Sequence, residues 1–313
     1  MALGSTVASA VPSASVSLVT EPTDGYSAVY SLVNGAQRSI DLTMYELTDT
    51  TAETDLGNAA ARGVAVRVIL DVNREKSKNQ AGFTYLSSHG VQVVWADTAY
   101  AATHQKTLTV DGTTSVIMTG NLTSQYYATS RDFAVIDTAP ADVSAIEQVF
   151  AADFAHNAVT PGDGADLVWS PTDSQTKLLA LISSARSTLQ VENEEMGLAS
   201  VVTALEDAAK RGVRVQVIMT NTADQYASQF DALTAAGVQV STYAADASLY
   251  IHAKAIVADY GSPSAQVFLG SENFSSYSLT KNRELGLVVS DPAVLTSVHD
   301  TLAGDFTGGT PWS

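Results

Sequence analysis

Cysteine is absent from the 313 residues, which removes disulfides, thiolate nucleophiles and cysteine-held zinc from consideration. Basic charge is scarce. Sixteen Lys and Arg stand against 33 Asp and Glu, a formal net charge of −17, and the cations form no long run. A nucleic-acid backbone is held by several Lys and Arg contacts, so this field would repel such a polyanion. A zwitterionic or neutral substrate meets no such penalty. Long apolar runs are missing as well, and nothing approaches the roughly 18 residues of a membrane span. The expectation is a soluble protein that touches a lipid interface only transiently. The opening MALGSTVASA ends in Ala8-Ser9-Ala10, the small-residue pattern of a signal-peptidase site, without a basic start or a full apolar stretch before it. A trimmed leader and a secreted bacterial enzyme are therefore expected.

What is present begins with a doubled motif. Tyr250 to Asp259 reads YIHAKAIVAD, holding His252, Lys254 and Asp259 as H-x-K-x4-D, and His104, Lys106 and Asp111 repeat that spacing in THQKTLTVD. Read as strands, both runs put His and Lys on one face, roughly 6 to 7 Å apart. One such pair on an exposed strand would be unremarkable. With five His and seven Lys in the chain, two chance matches have a likelihood on the order of one in tens of thousands. Each motif is also trailed by an Asn and then an acid. Asn121 precedes Asp132 by eleven positions, and Asn273 precedes Glu284 by eleven.

These residues resemble the phospholipase D superfamily, whose halves each carry H-x-K-x4-D-x6-G-S-x-N. Gly270-Ser271-Glu272-Asn273 matches the second element directly, after four extra residues that the turn-forming Gly261-Ser262-Pro263-Ser264 would absorb. The first half keeps the spacing to Asn121 but has Met118 and Thr119 where the family has Gly and Ser, Thr119 still offering a hydroxyl. The resemblance covers roughly residues 25–292. It implies two domains facing each other across a pseudo-twofold, with His104 as the nucleophile and His252 as the acid; the residues alone leave that symmetry unbroken.

The rest of the chain is organised around a duplication. AAARGVAVRVIL at 59–70 is answered by DAAKRGVRVQVIM at 207–219, and GVQVVWA at 90–96 by GVQVSTYA at 237–244. Offsets of 149, 147 and 148 residues at Arg62/Arg211, Gly90/Gly237 and His104/His252 indicate a repeated unit. Periodicity predicts strands at 15–20, 39–45, 64–70, 90–95, 104–110, 115–118 and 131–136, and helices at 26–34, 51–62, 76–88 and 141–155. Residues 157–174, with two Pro and two Gly, read as a linker. The fold class is α/β: two pseudo-twofold-related α/β/α sandwich domains with mixed, largely parallel sheets, residues 1–160 and 161–313, and the active site in the cleft between them.

Displacement at phosphorus needs a nucleophile, an acid for the leaving oxygen, and donors on the non-bridging oxygens. One imidazole would attack to form a phosphohistidine while the other gives a proton to the leaving alcohol and later takes one from water. Lys106, Lys254, Asn121 and Asn273 would hold the phosphoryl oxygens, with Thr119 and Ser271 beside them, in place of a metal ion or cofactor. Asp132 and Glu284 would accept from the far nitrogen of a histidine and fix its tautomer. Asp111 and Asp259 would orient the motif loop without touching substrate. Tyr45, Glu46 and Glu194, the last two 148 apart, and Tyr100, Tyr126, Tyr127 and Tyr250 near the motifs would suit a choline or ethanolamine headgroup. His89, His156 and His299 fall outside any motif. The expected activity is a monomeric, metal-independent phospholipase D-type hydrolase of glycerophospholipids. The chain's compactness points to lyso or ether lipids, as in compact actinobacterial relatives it looks like. The alternatives are a superfamily endonuclease and a catalytically silent binding protein.

Overall fold

The computed structural model describes residues 16–313; the Ala8-Ser9-Ala10 reading and the expected start of the first strand at Ser15 lie outside them. The first half runs β1 (Val16–Glu21), α1 (Ser27–Gly35), β2 (Ser39–Met44), α2 (Thr50–Ala61), β3 (Ala65–Leu70), α3 (Lys76–Ser88), β4 (Gln92–Trp95), β5 (Lys106–Val110), β6 (Thr114–Met118), β7 (Ser130–Asp137) and α4 (Pro140–Phe154). The second half repeats it as β8 (Leu167–Ser170), α5 (Ser174–Ser184), β9 (Thr188–Glu192), α6 (Ala199–Lys210), β10 (Arg214–Asn221), α7 (Ala227–Ala235), β11 (Gln239–Ala244), β12 (Tyr250–Ile251), β13 (Ala255–Ala258), β14 (Gln266–Gly270), α8 (Ser276–Thr280), β15 (Glu284–Val289) and α9 (Pro292–Gly308). A short β16 (Thr310–Pro311) follows.

Local chemistry explains the boundaries. Asp49 accepts from Thr51 N–H to start α2, and Asp291 accepts from Ala293 and Val294 to start α9, whose first residue is Pro292. Gly63 and Gly212, at φ of +92° and +90°, take the left-handed turn that ends α2 and α6. Among the described residues no helix is long and apolar enough to cross a membrane.

The two-half α/β architecture with mixed sheets is as expected, but the strand balance is antiparallel. Along the main path of the first sheet, β1-β7-β6-β5-β2-β3-β4, only β2–β3 and β3–β4 are parallel, and off that path β12 joins β7 in parallel. In the second, β16-β11-β10-β9-β13-β14-β15-β8, only β9–β10 and β10–β11 are. The cause is local: after one crossover layer each half folds its motif strand into tight hairpins, β5–β6 and β13–β14, which antiparallel pairing alone permits. The segment read as a linker also contains β8, fully buried with Trp169 at its centre and paired to β15. The apolar run there, Leu167-Val168-Trp169, was too short to show a period.

Three apolar clusters carry the fold. One joins α1–α3 to the outer face of the first sheet and another joins α5–α7 to the outer face of the second. The third, including Phe133, Ile146, Trp169, Leu269, Leu285 and Val298, fills the seam between the inner faces, with α4 and α9 inside it. The halves therefore share a core and are not lobes hung on a linker. Buried ion pairs cross the same seam in both directions: Arg131 reaches Asp305 on α9, and Arg283 reaches Asp153 on α4 at 2.9 Å.

Candidate active site

Neither motif histidine stands in its own sheet. β5 begins at Lys106 and β13 at Ala255, because the backbone at each histidine leaves its strand to pair across the seam. His104 and Gln105 N–H groups donate to Arg283 O at 2.9 and 3.0 Å. Ile251 of β12 sits opposite Arg131 of β7, and Ala253 N–H donates to Arg131 O at 2.9 Å. Each pairing brings a histidine beside the residue that follows the arginine. His104 Nδ1 lies 2.8 Å from Glu284 Oε2, and His252 Nδ1 lies 2.8 Å from Asp132 Oδ1. Each imidazole is thus held by the acid of the other half. A carboxylate only accepts, so the Nδ1 proton is fixed and Nε2 is left for chemistry.

Both histidines line one cleft of about 880 Å³. Beneath them Lys106 and Lys254 are fully buried, each donating to the carbonyl of its own histidine. Asn121 and Asn273 also line the cleft, and their buried Oδ1 atoms have no partner among the described residues. Burial lowers the His104 pKa below its ordinary value against the pull of Glu284, so its imidazole is neutral at neutral pH. Burial and the neighbouring Lys254 bring Lys106 down to about 7, with Glu284, Glu194 and Asp132 opposing. Glu284 is desolvated too, yet His104, Lys106 and the Ser278 hydroxyl hold it below the usual carboxylate value.

The twofold breaks next to the histidines. Matching bridges at Leu47–Leu122 and Met196–Phe274 make Leu47 the counterpart of Met196, an offset of 149 residues at this point of the chain. Tyr45 therefore corresponds to Glu194, and Glu46 to Glu195, one residue away from the equivalence of Glu46 with Glu194 expected from the motif offset. The Tyr45 ring stands edge-on to His104 at 4.5 Å and 4.9 Å from Lys106 Nζ. Glu194 instead puts Oε2 3.1 Å from Lys254 Nζ and 3.6 Å from His252 Nε2, while Oε1 accepts from Tyr250 OH at 3.1 Å.

Several expected roles change with the geometry. Thr119 and Ser271 do not line the cleft: Thr119 Oγ1 donates to Asp132 Oδ1 at 2.6 Å and accepts from Phe133 N–H, and Ser271 Oγ accepts from Leu285 N–H. They brace the strands that carry the acids, because each sits at a strand end facing its antiparallel neighbour. Asp111 and Asp259 lie at the far end of β5 and β13, where they collect the N–H groups of 37–39 and of 186–188. They therefore hold the helix-to-strand turn and not the motif loop. Tyr45, Glu46 and Glu194 line the cleft, as do Tyr126, Tyr127 and Tyr250, but Tyr100 packs on the Arg283 guanidinium at 4.4 Å instead. Gly120 is required by close approach, since a Cβ there would fall 2.7 Å from the Asp132 carboxyl and 2.8 Å from Tyr26 OH. His89, His156 and His299 bond to Tyr85, Trp95 and Gln190, and none of the three lines the cleft.

Sequence reasoning missed Ser278 and Asn282, which donate to Glu284 Oε1 at 2.6 and 2.9 Å. It also missed the Arg131–Asp305 and Arg283–Asp153 clamps. Their signal was visible, because an arginine precedes the acid in both halves as Arg131-Asp132 and Arg283-Glu284.

The family model described as cardiolipin synthase, PLD-like domain matches residues 29–154 and again 178–306. The chain belongs to this PLD-like family. Among solved structures it is similar to a polyphosphate kinase from Porphyromonas gingivalis, at 16% identity and TM-score 0.72, over 93% of this chain and 50% of that one. It is also similar to a phosphatidylserine synthase from Haemophilus influenzae Rd KW20, at 12% identity and TM-score 0.69, over 93% of this chain and 85% of that one. The chain thus spans half the length of the kinase. At these identities the likenesses show the shared PLD fold, built twice in one chain. No curated protein matches the sequence.

Proposed function

We propose that this PLD-like protein is a phosphodiesterase that hydrolyses glycerophospholipids carrying a cationic headgroup, choline or ethanolamine, through a phosphohistidine. The supporting observation is the charge of the cleft. Its walls present Glu21, Glu46, Glu194 and Glu195 with Tyr26, Tyr126, Tyr127, Tyr226 and Tyr250, and no Lys or Arg lines it. The lysines lie under the histidines, where they meet one phosphoryl group and not a run of phosphates. Carboxylates and tyrosine faces attract a quaternary or primary ammonium, whereas a nucleic acid needs cations along its path.

The chemistry follows from the frame. His104 Nε2 attacks phosphorus and the headgroup oxygen leaves with the proton of His252 Nε2. Water then attacks the phosphohistidine, giving its proton back to His252 as the P–N bond breaks. Lys106 and Lys254 balance the charge of the phosphoryl oxygens throughout, and the asparagine amides donate hydrogen bonds to them.

The test compares kcat/KM for a choline lipid, its ethanolamine counterpart, the matching lysolipids, and single- and double-stranded DNA in one detergent. Lipid turnover with released headgroup, and none on DNA, is expected. Preference for DNA would replace this reading with a nuclease, and preference for diacyl over single-tailed lipid would remove only the single-tail expectation.

A further inference from the structure

Among the described residues, Glu194 is the carboxylate that pairs with a site lysine and faces a histidine Nε2. A single oxygen, Oε2, lies 3.1 Å from Lys254 Nζ and 3.6 Å from His252 Nε2, and Tyr250 OH holds the other oxygen at 3.1 Å. The corresponding position of the first half is Tyr45, a ring edge with no charge to offer His104. Two consequences follow from elementary electrostatics. With Nδ1 already committed to Asp132, Nε2 of His252 carries either a lone pair or a proton, and a carboxylate 3.6 Å away repels the first and attracts the second. Lys254 is also already occupied by an anion before substrate arrives.

We propose that Glu194 is a built-in stand-in for the phosphate, which keeps the His252 Nε2 proton in place until substrate displaces it and so makes a twofold-symmetric site run in one direction. In the resting site Glu194 bridges Lys254 and His252. An arriving phosphodiester takes over Lys254, the carboxylate swings into the cleft, and the charged His252 faces the leaving oxygen. His104, free of such a partner and neutral, attacks. Electrons and protons balance without Glu194 being consumed: the His104 lone pair forms the P–N bond, the P–O bond breaks, and its oxygen takes the His252 proton. The carboxyl of Glu194 is held below its ordinary value, because Lys254, His252 and a hydrogen bond from Lys254 outweigh its burial, as a charged stand-in requires.

The inference rests on the phosphodiesterase reading, and its test separates the two. Wild-type turnover of bis(p-nitrophenyl) phosphate, whose leaving group needs no acid, tests that reading by itself. Glu194→Gln is then compared with wild type on that ester and on a choline phosphodiester, whose alkoxide leaving group does need one. Because general-acid help contributes about 10²- to 10⁴-fold and Glu194 acts on the free enzyme, the variant is expected to lose about a hundredfold in kcat/KM on the choline ester and less than about fivefold on the aryl ester. Inorganic phosphate, no longer competing with a carboxylate, is expected to inhibit the variant at about tenfold lower concentration, roughly the effect of one charge contact. A merely structural role for Glu194 would lower both rates together and weaken phosphate binding. Equal losses on the two esters, or phosphate inhibition that does not tighten, would each overturn the proposal; no aryl turnover by wild type would overturn the phosphodiesterase reading instead. Thermal melting of the variant, and Glu194→Ala carried through the same assays, keep a folding defect from imitating either result.

Discussion

The two halves of the site share a frame and differ in what is set into it. In both, a backbone pairing across the seam places a histidine beside the other half's acid, with a lysine below and an asparagine alongside. The differences fall at three places. His104 meets the edge of Tyr45 where His252 meets Glu194. Glu284 is bonded by Ser278 and Asn282, where Asp132 has the Thr119 hydroxyl. Opposite those acids on the neighbouring strands stand Ser170 and Glu21. Burial and the charge of Asp132 push the Glu21 carboxyl up to about 7. Duplication thus fixes where the groups are, and in the proposed mechanism the positions that duplication did not keep decide what each one does.

The harshest way to break the comparison is to remove each histidine. His104→Ala deletes the proposed nucleophile and is expected to lower kcat by at least about 10⁴-fold on every phosphodiester. His252→Ala should cost about 10²- to 10⁴-fold where the leaving group needs a proton and much less on an aryl ester. Quench of the His252→Ala protein with aryl ester in alkaline denaturant, where a P–N bond to histidine survives, should trap the aryl phosphoryl group on His104. If both variants lose equally on both ester types, the halves are equivalent after all.

Exchanging the bracing acids comes next. Glu284→Gln and Asp132→Asn leave a hydrogen-bonding amide but free the imidazole to take the wrong tautomer, a change that costs a histidine–acid pair up to about 10⁴-fold. Because the pairs cross, Glu284→Gln should slow formation of the covalent intermediate although Glu284 belongs to the second half. Asp132→Asn should act with the His252 pattern. A burst of aryl alcohol on rapid mixing distinguishes them, and an Asp132→Asn variant with a slowed burst would show that the cross-pairing does not govern the roles.

How far these groups were legible follows from what sequence spacing measures. His104, Lys106, Asn121 and Asp132, with their partners in the second half, are local in the chain, so a doubled motif exposed them. The crossing was not legible, because it depends on β12 leaving its own sheet to lie beside β7, a choice made by the seam core and not by spacing. Thr119 and Ser271 looked like substrate contacts since a hydroxyl near a motif carries no sign of its direction; antiparallel neighbours turned both towards backbone and acid. Tyr45 and Glu194 were both picked out, but a motif offset of 148 hid that they are counterparts. β8 was hidden by its length, four residues between a glycine and a proline.

A smaller effect sharpens the contrast between the lysines through pH. Lys106, brought to about 7 in the empty site, is charged below that pH and loses its charge as pH rises through it. Since kcat/KM reports the free enzyme, it should fall as pH rises through about 7. The fall in kcat should come at higher pH, because bound phosphate keeps the ammonium charged. On the acid side His104, lowered from 6.5 by burial, stays neutral and competent below that value. Glu21 also titrates about 7, and Glu21→Gln separates it: the alkaline limb should remain. A kcat/KM profile flat to beyond pH 9 would mean that Lys106 is not the group that binds phosphate.

The smallest effect on activity, and a plain one on stability, is expected at Asp111 and Asp259. Both take the left-handed backbone, at φ of 56° and 55°, which Asp and Asn tolerate better than other side-chain-bearing residues. Each collects three backbone N–H groups from the strand that enters its sheet. Asp259 is the more buried, and it also accepts from Ser187 Oγ at 2.9 Å. Alanine at either site leaves those donors short of a partner and strains the turn. Asp259→Ala is therefore expected to cost about 2 to 3 kcal/mol of folding stability and Asp111→Ala about 1 to 2, with kcat of the folded fraction unchanged within about twofold because the cleft lies at the other end of the strand. Both carboxyls are held below 3.8, desolvation being outweighed by those N–H groups. Their stabilisation is therefore complete above the unfolded value and is lost as pH falls through the folded one, so urea midpoints of wild type and Asp259→Ala should converge as pH falls further below 3.8. A midpoint difference that persists there would assign the loss to backbone strain, and a tenfold drop in kcat at pH 7 would put these aspartates back among the residues that shape the motif loop.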